Sequence, residues 1–294
     1  MKYIYNIDGL KNHDENSAFE EKIGKKAQNL FELAIHGFNV PDFSVITNRY
    51  FKEVILDEIR EYCKSEITDW DSVFEGDSEE KIGNMIEVIK NHKIREEFKR
   101  EIEKIVKDGS YYAVRSSSVE EDSSNFSFAG QFETYLYVRK ENMLEKVKEV
   151  WISSFSSHVM RYRKEGKINN EVNVPAVIIQ EMINSEKAGV GFSVNPVNGD
   201  HDEIVISGTF GLGTSIVDGD ENGDLFIYNK ETKEIKKEIG IKKVKQSLDF
   251  ENHGIKVEEI NVGDEVLNDA EITELGENII NIEKYYGKPQ DMEW

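Results

Sequence analysis

Two hydrophobic rhythms run along this chain, and the order in which they appear limits its fold more than any other feature. Through much of the first half, apolar residues recur at helical spacing; in the second half, short β-branched runs dominate. A helix is predicted over 48–64, with Phe51, Val54, Ile55, Ile59 and Tyr62 on one face and Thr47 as N-cap. A longer one is predicted over 78–107, opened by Asp77 and Glu80 in capping-box spacing, striped by Ile82, Met85, Ile86, Ile89, Phe98, Ile102 and Ile105, and closed by Gly109. Leu144, Val147 and Trp151 predict a helix over 142–155. Ile272, Leu275, Ile279, Ile282 and Tyr286 predict another over 269–286, with Gly287 as its left-handed end. Strands are predicted over 174–183, 189–194, 203–207, 224–229 and 256–262, separated by Gly and Asn/Asp clusters. Helices ahead of strands imply an α+β fold rather than strict βαβ alternation. The polar, turn-like stretch EGKINNEVN sets the expected boundary between a first domain over 1–170, mostly helical around a small sheet, and a second over 171–294.

Charge removes whole classes of function. Lys and Arg total 37 against 58 Asp and Glu, a net charge of −21, so the basic footprint of a nucleic-acid binder is missing and docking on anionic lipid is disfavoured. The longest purely apolar stretch, Ala176 to Ile179, falls far short of the ~20 residues that cross a bilayer. The first residues, MKYIYNIDGLKNHDEN, contain no continuous apolar run of the kind a secretory leader needs. The only cysteine, Cys63, follows Ile55, Ile59 and Tyr62 at helical spacing and is expected to be a small buried hydrophobe. With no disulfide available, a reducing, cytoplasmic setting is expected.

Familiar site motifs are absent: no phosphate-binding G-x-x-x-x-G-K-[ST], no dinucleotide G-x-G-x-x-G, no C-x-x-C, no close histidine pair and no G-x-S-x-G. Four polar or glycine-rich segments remain. In GKKAQNL (24–30), a Lys beside a Gly turn either reaches a phosphate as a point charge or lies solvated on a helix. In YYAVRSSS (111–118), followed by the Ser/Gly loop SFAGQ (127–131), a strand ends in an arginine and three hydroxyls. Such a segment either cradles phosphate oxygens, the Arg supplying a bidentate fork, or makes a surface turn. GVGFSVNP (189–196) and GTFGLG (208–213) offer either close backbone approach to a ligand or ordinary strand ends. In GKPQDMEW (287–294), an extended backbone points Asp291 and Glu293 to one face, a pair suited to Mg²⁺ or simply solvated.

Taken together, these segments resemble the N-terminal nucleotide-binding domain of phosphoenolpyruvate synthase, pyruvate phosphate dikinase and rifampicin phosphotransferase. The resemblance runs from about Lys22 to Trp294 and is most specific in AVRSSSVEED…SFAGQFETYL, VIIQEMI…AGVGFSVNP and GKPQDMEW. GFNVPDFSVIT agrees as well, and all four prolines fall inside family-like segments. It implies an ATP-grasp-like fold, two α+β subdomains clamping ATP. It also implies that Lys26 is the N-terminal ATP lysine and Arg115 the phosphate-binding arginine. Ser127, Gly130 and Gln131 would belong to the flap over the phosphates, Gln180, Glu181 and Met182 to the strand that meets adenine, and Asp291 with Glu293 to the magnesium pair. The chemistry implied is transfer of the β-phosphoryl group of ATP to a histidine on a separate domain with release of AMP, a third domain binding the final acceptor.

The chain also departs from the family pattern. The family continues past the position of Trp294 into a partner strand bearing a Gln and an Arg, so the last strand here is expected to keep an open edge. None of the six histidines lies in a family-like phosphohistidine motif. Ser207 and Thr214 stand where relatives often carry acidic or amide side chains. The resemblance therefore implies the ATP-dependent part of a larger or split phosphotransferase or, alternatively, a nucleotide-binding or regulatory relative without catalysis.

Overall fold

A computed structural model of the protein describes residues 3–10, 17–64, 67–118, 132–166, 171–213 and 223–294, apart from the side chains of 10 and 17–21. The chain divides into two compact units, Met1–Met182 and Ile183–Trp294. Helices dominate the first unit and strands the second, and the named strands of the described residues pair antiparallel, so the fold is α+β. No helix among the described residues is long and apolar enough to cross a membrane.

The first unit contains β1 (Ile4–Asn6), α1 (Ile7–Leu10), α2 (Ser17–Ile35), β2 (Phe43–Ile46), a π-helical turn (Phe51–Ile55), α3 (Leu56–Cys63), α4 (Trp70–Phe74), α5 (Ser78–Asn91) and α6 (Glu96–Ile105). It continues through β3 (Tyr112–Ser117), β4 (Thr134–Val138), α7 (Met143–Ser153), α8 (Ser157–Gly166) and β5 (Ala176–Glu181). Its sheet has the order β1-β2-β5-β3-β4. The apolar run of β5 does not alternate because both of its faces are covered. Val177 and Ile179 join Tyr112, Val114 and the aromatic core of the helices, while Ala176 and Ile178 join Phe43, Val45 and the Ile23, Ala27 and Phe31 stripe of α2. In the larger core Tyr50 stacks on Phe98 and Trp151, with ring centroids 4.0 and 5.9 Å away. Each such buried aromatic contributes about 1.5–3 kcal/mol through lost apolar surface. Because β5 is a central strand of this sheet, the contact boundary falls at Met182/Ile183 rather than at the expected 170/171.

Three local expectations are corrected by tertiary contacts. The helix expected over 78–107 breaks after Asn91: His92 leaves helical geometry and turns inward, its Nε2 3.1 Å from Tyr50 Oη and its Nδ1 2.7 Å from Glu58 Oε2. The helix expected over 48–64 begins as a π-helical turn, and Thr47 does not cap it, because its hydroxyl donates instead to Tyr3 O at 3.2 Å. Cys63 is half-buried against the helical core, and burial pushes its thiol pKa up.

The second unit contains β6 (Lys187–Phe192), β7 (Glu203–Phe210), β8 (Asp224–Asn229), β9 (Ile235–Glu238), the hairpin β10 (Val244–Asp249) and β11 (Gly254–Glu259), α9 (Asp269–Tyr286) and β12 (Asp291–Glu293). The main sheet has the order β12-β6-β7-β8-β9. The helix α9 starts in a capping box, Asn268 and Glu271 each accepting the other's backbone N–H, and ends at Gly287 with φ 65° as expected. It buries Ile272, Ile279 and Ile280 with Ile204, Ile206, Phe226 and Tyr228 of the sheet. At the start of β8, Asp224 and Lys242 form an ion pair with both side chains fully buried. The same carboxylate accepts the Gly240 N–H at 2.9 Å and the Val266 N–H at 2.8 Å, tying three segments together.

Candidate functional site

In the first unit, strand alternation decides which of the expected residues share a face. Ala113, Arg115 and Ser117 lie on the side of β3 that faces α2, and register places Gln180 opposite Ala113 and Ile178 opposite Arg115. Half-buried Arg115 donates from Nη1 to Gln180 Oε1 at 3.3 Å. Lys26 lies on α2, which covers this same face, immediately before the fully buried Ala27. The structure therefore brings Lys26, Arg115 and Gln180 to one side of the first sheet.

The docking of α2 depends on a glycine. Gly24 interrupts the helix at φ 74° and ψ 168°, and a Cβ there would fall 2.3 Å from the Ser117 carbonyl oxygen. Only Gly fits that combination of backbone angle and approach. Ser116, Ser117 and Ser118 are all buried, and the Ser117 hydroxyl accepts the Ala27 N–H at 3.0 Å. The Ser117 hydroxyl thus accepts from a helix amide, which leaves its O–H as a donor.

Glu181 and Met182 tie the end of β5 to its neighbours. The Glu181 side chain lies on the opposite face from Gln180, where it accepts from Lys107 Nζ at 2.8 Å and Ser110 Oγ at 3.1 Å. That hydrogen bond to Glu181 is the main cause of a raised Lys107 pKa. The Glu181 N–H donates to Asp42 O and the Met182 N–H to Tyr111 O, both at 2.8 Å. Met182 Sδ accepts from the Tyr137 N–H at 3.2 Å, where Tyr137 takes a left-handed φ of 59°. Ser127, Gly130 and Gln131 lie outside the described residues.

In the second unit, β12 is extended and its register places Asp291 opposite Phe192, Met292 opposite Gly191 and Glu293 opposite Val190. Asp291 and Glu293 are therefore exposed on one face, while Met292 turns toward Ile279 and the α9 core. The strand is anchored at both ends. Ser193 Oγ accepts the Gln290 N–H at 2.8 Å, and Trp294 exchanges two backbone hydrogen bonds with Gly189 at 3.0 Å. The glycines considered for close approach to a ligand serve packing instead. A Cβ at Gly189 would fall 1.9 Å from the Ser207 carbonyl oxygen and 2.7 Å from the Trp294 ring, one at Gly208 3.1 Å from that ring, and one at Gly191 2.7 Å from Ile279 Cδ1. Sequence reasoning missed this use because Trp294, against Gly189 and Gly208, and Ile279, against Gly191, are far from them in the chain. Among the described residues β12 pairs with β6 at the end of this sheet.

The donor set at β12 fits a hard divalent cation in its chemistry, two carboxylates on one strand face. Among the described residues no group of three or more His, Cys, Asp or Glu side chains is assembled around a common point, so the remaining oxygens of such a cation would come from water or a bound phosphate.

Residues 20–294 match the model of the family described as pyruvate phosphate dikinase, AMP/ATP-binding domain. A probable phosphoenolpyruvate synthase of Methanocaldococcus jannaschii is 34% identical over 100% of this chain and 25% of its own length. The uncharacterized phosphotransferase YvkC of Bacillus subtilis is 36% identical over 92% of this chain and 31% of its own length. The phosphoenolpyruvate synthase of Pyrococcus furiosus is 37% identical over 68% of this chain and 26% of its own length. The chain thus spans about a quarter to a third of the length of these relatives.

Proposed function

The chain belongs to the family of the pyruvate phosphate dikinase AMP/ATP-binding domain, and on that basis we propose that it is the Mg-ATP-binding part of a phosphoenolpyruvate synthase-like phosphotransferase. In this reading the β-phosphoryl group of ATP passes to a histidine on a separate domain and AMP is released. The fold is of the ATP-grasp kind. Phosphoryl transfer asks a protein chiefly for positioning and charge neutralisation. Lys26 and Arg115 supply positive charge to the phosphates, with Gln180 holding the Arg115 guanidinium at 3.3 Å. The backbone at Gln180, Glu181 and Met182 meets the adenine, and Ser127, Gly130 and Gln131 cover the phosphates. Asp291 and Glu293 hold Mg²⁺, which when bound neutralises and orients phosphate oxygens.

The observation that carries this reading is the gathering of Lys26, Arg115 and Gln180 on one face of the first sheet by elements far apart in sequence. It is tested by Lys26→Ala and Arg115→Ala, each measured by calorimetric titration with Mg-ATP and checked for folding by circular dichroism. Both are expected to weaken binding without unfolding the chain, and Arg115→Ala to lower phosphoryl transfer by about a hundredfold or more, as other electrostatic groups at transition states do. Unchanged affinity in both variants refutes the assignment.

A further inference from the structure

A helix start leaves backbone amides without intrahelical partners, and α2 has a second start where Gly24 interrupts it. Those amides are met by Ser117, the last residue of β3, and by Ser118, which follows it. The Ala27 N–H donates to Ser117 Oγ at 3.0 Å and the Lys25 N–H to the Ser118 carbonyl at 3.3 Å. Lys26 therefore sits between two backbone amides pinned to the end of β3 and the residue that follows it. Ser117 acts as an N-cap residue would, but from 90 positions away in sequence. The missing side chain of Gly24 allows this approach, since the Ser117 carbonyl lies where a Cβ would project.

Arg115 stands two residues before Ser117 on the same face of β3. One strand thus carries the guanidinium directly and holds the ammonium-bearing turn through a hydroxyl. We propose that Ser117 is a positioning residue: its hydroxyl fixes the turn bearing Lys26 relative to Arg115, so that both cations meet the phosphates of one nucleotide. The proposal rests on reading Lys26 as an ATP ligand. It matters chemically because displacement of a charged group by about 1 Å is enough to lower phosphoryl transfer strongly.

The test is a double-mutant cycle on the full chain, with Mg-ATP dissociation constants for the parent, Ser117→Ala, Lys26→Ala and the double variant, and a thermal melt of each. If Ser117 acts through Lys26, Ser117→Ala weakens Mg-ATP binding about fivefold when Lys26 is present and adds nothing in the Lys26→Ala background. The melting temperature falls equally in both backgrounds. Parent affinity in Ser117→Ala, or the same loss in both backgrounds, overturns the positioning role. Parent affinity in Lys26→Ala overturns the underlying site reading instead, so the two failures are distinguishable. Should Ser117→Ala not fold, Ser117→Cys, which keeps the shape and weakens the acceptor, carries the same cycle.

Discussion

Replacing Lys242 by Met is expected to cost the second unit a large share of its stability. Both members of the Asp224–Lys242 pair are fully buried, so removal of the ammonium leaves a carboxylate that water cannot reach. Asp224 keeps the N–H groups of Gly240 and Val266, at 2.9 and 2.8 Å, but no compensating charge. Breaking a buried pair from one side typically costs about 3–5 kcal/mol. Against a total near 5–15 kcal/mol, that corresponds to a fall in melting temperature of more than about 10 °C. Urea unfolding combined with hydrogen exchange of the β7 and β8 amides follows the second unit specifically. The double variant Asp224→Asn/Lys242→Met removes the stranded charge and is expected to recover at least half of the loss, because a neutral pair in the same space carries no desolvation penalty for an ion. A single-variant loss below about 1 kcal/mol, or a double variant as unstable as the sum of the singles, would refute the reasoning.

Gly276→Ala places a Cβ about 2.6 Å from the Tyr228 ring, so the crowding should outweigh the better helix propensity of Ala and cost about 1–2 kcal/mol in urea unfolding; a gain in stability would show that the contact is not tight. Burial, reinforced by Glu149, pushes the Tyr135 phenol up to about 12 from its usual 10.0. Absorbance titration against Tyr135→Phe should find Tyr135 still protonated at pH ~11, and the stability it contributes should be intact below pH ~10 and lost as pH rises toward 12, since the unfolded chain ionises first. A difference spectrum that titrates at the ordinary tyrosine value would contradict this.

Where local physics decides, the sequence could be read directly. The helix over 269–286 matches α9 to the residue, because its stripe, its first-turn acids and Gly287 all point one way. The uninterrupted Val177, Ile178 and Ile179 announced a strand, whose two faces both prove covered, and the spacing of Asp291 and Glu293 placed them on one face of β12. What escaped detection depends on partners distant in the chain. Nothing near His92 signals the break between α5 and α6, which follows from contacts with Tyr50 and Glu58. Gly189, Gly191 and Gly208 look like ligand-approach glycines until Trp294 and Ile279 are seen against them. RSSS gives no sign that Ser117 also accepts an amide of α2, 90 positions away. The candidate site was proposed through the resemblance of its segments to the family; the link from Gly24 through Ser117 to the Lys26 turn was not legible in the sequence.

The central claim, that this chain binds Mg-ATP with Asp291 and Glu293 as metal ligands, is tested most directly by calorimetric titration with ATP. The parent and the Asp291→Asn/Glu293→Gln variant are each titrated with Mg²⁺ present and in EDTA. The account predicts that the parent binds ATP more tightly with Mg²⁺ and that the variant loses most of that gain while keeping its metal-free affinity. No ATP binding by the parent, or equal affinity in Mg²⁺ and EDTA, would contradict it.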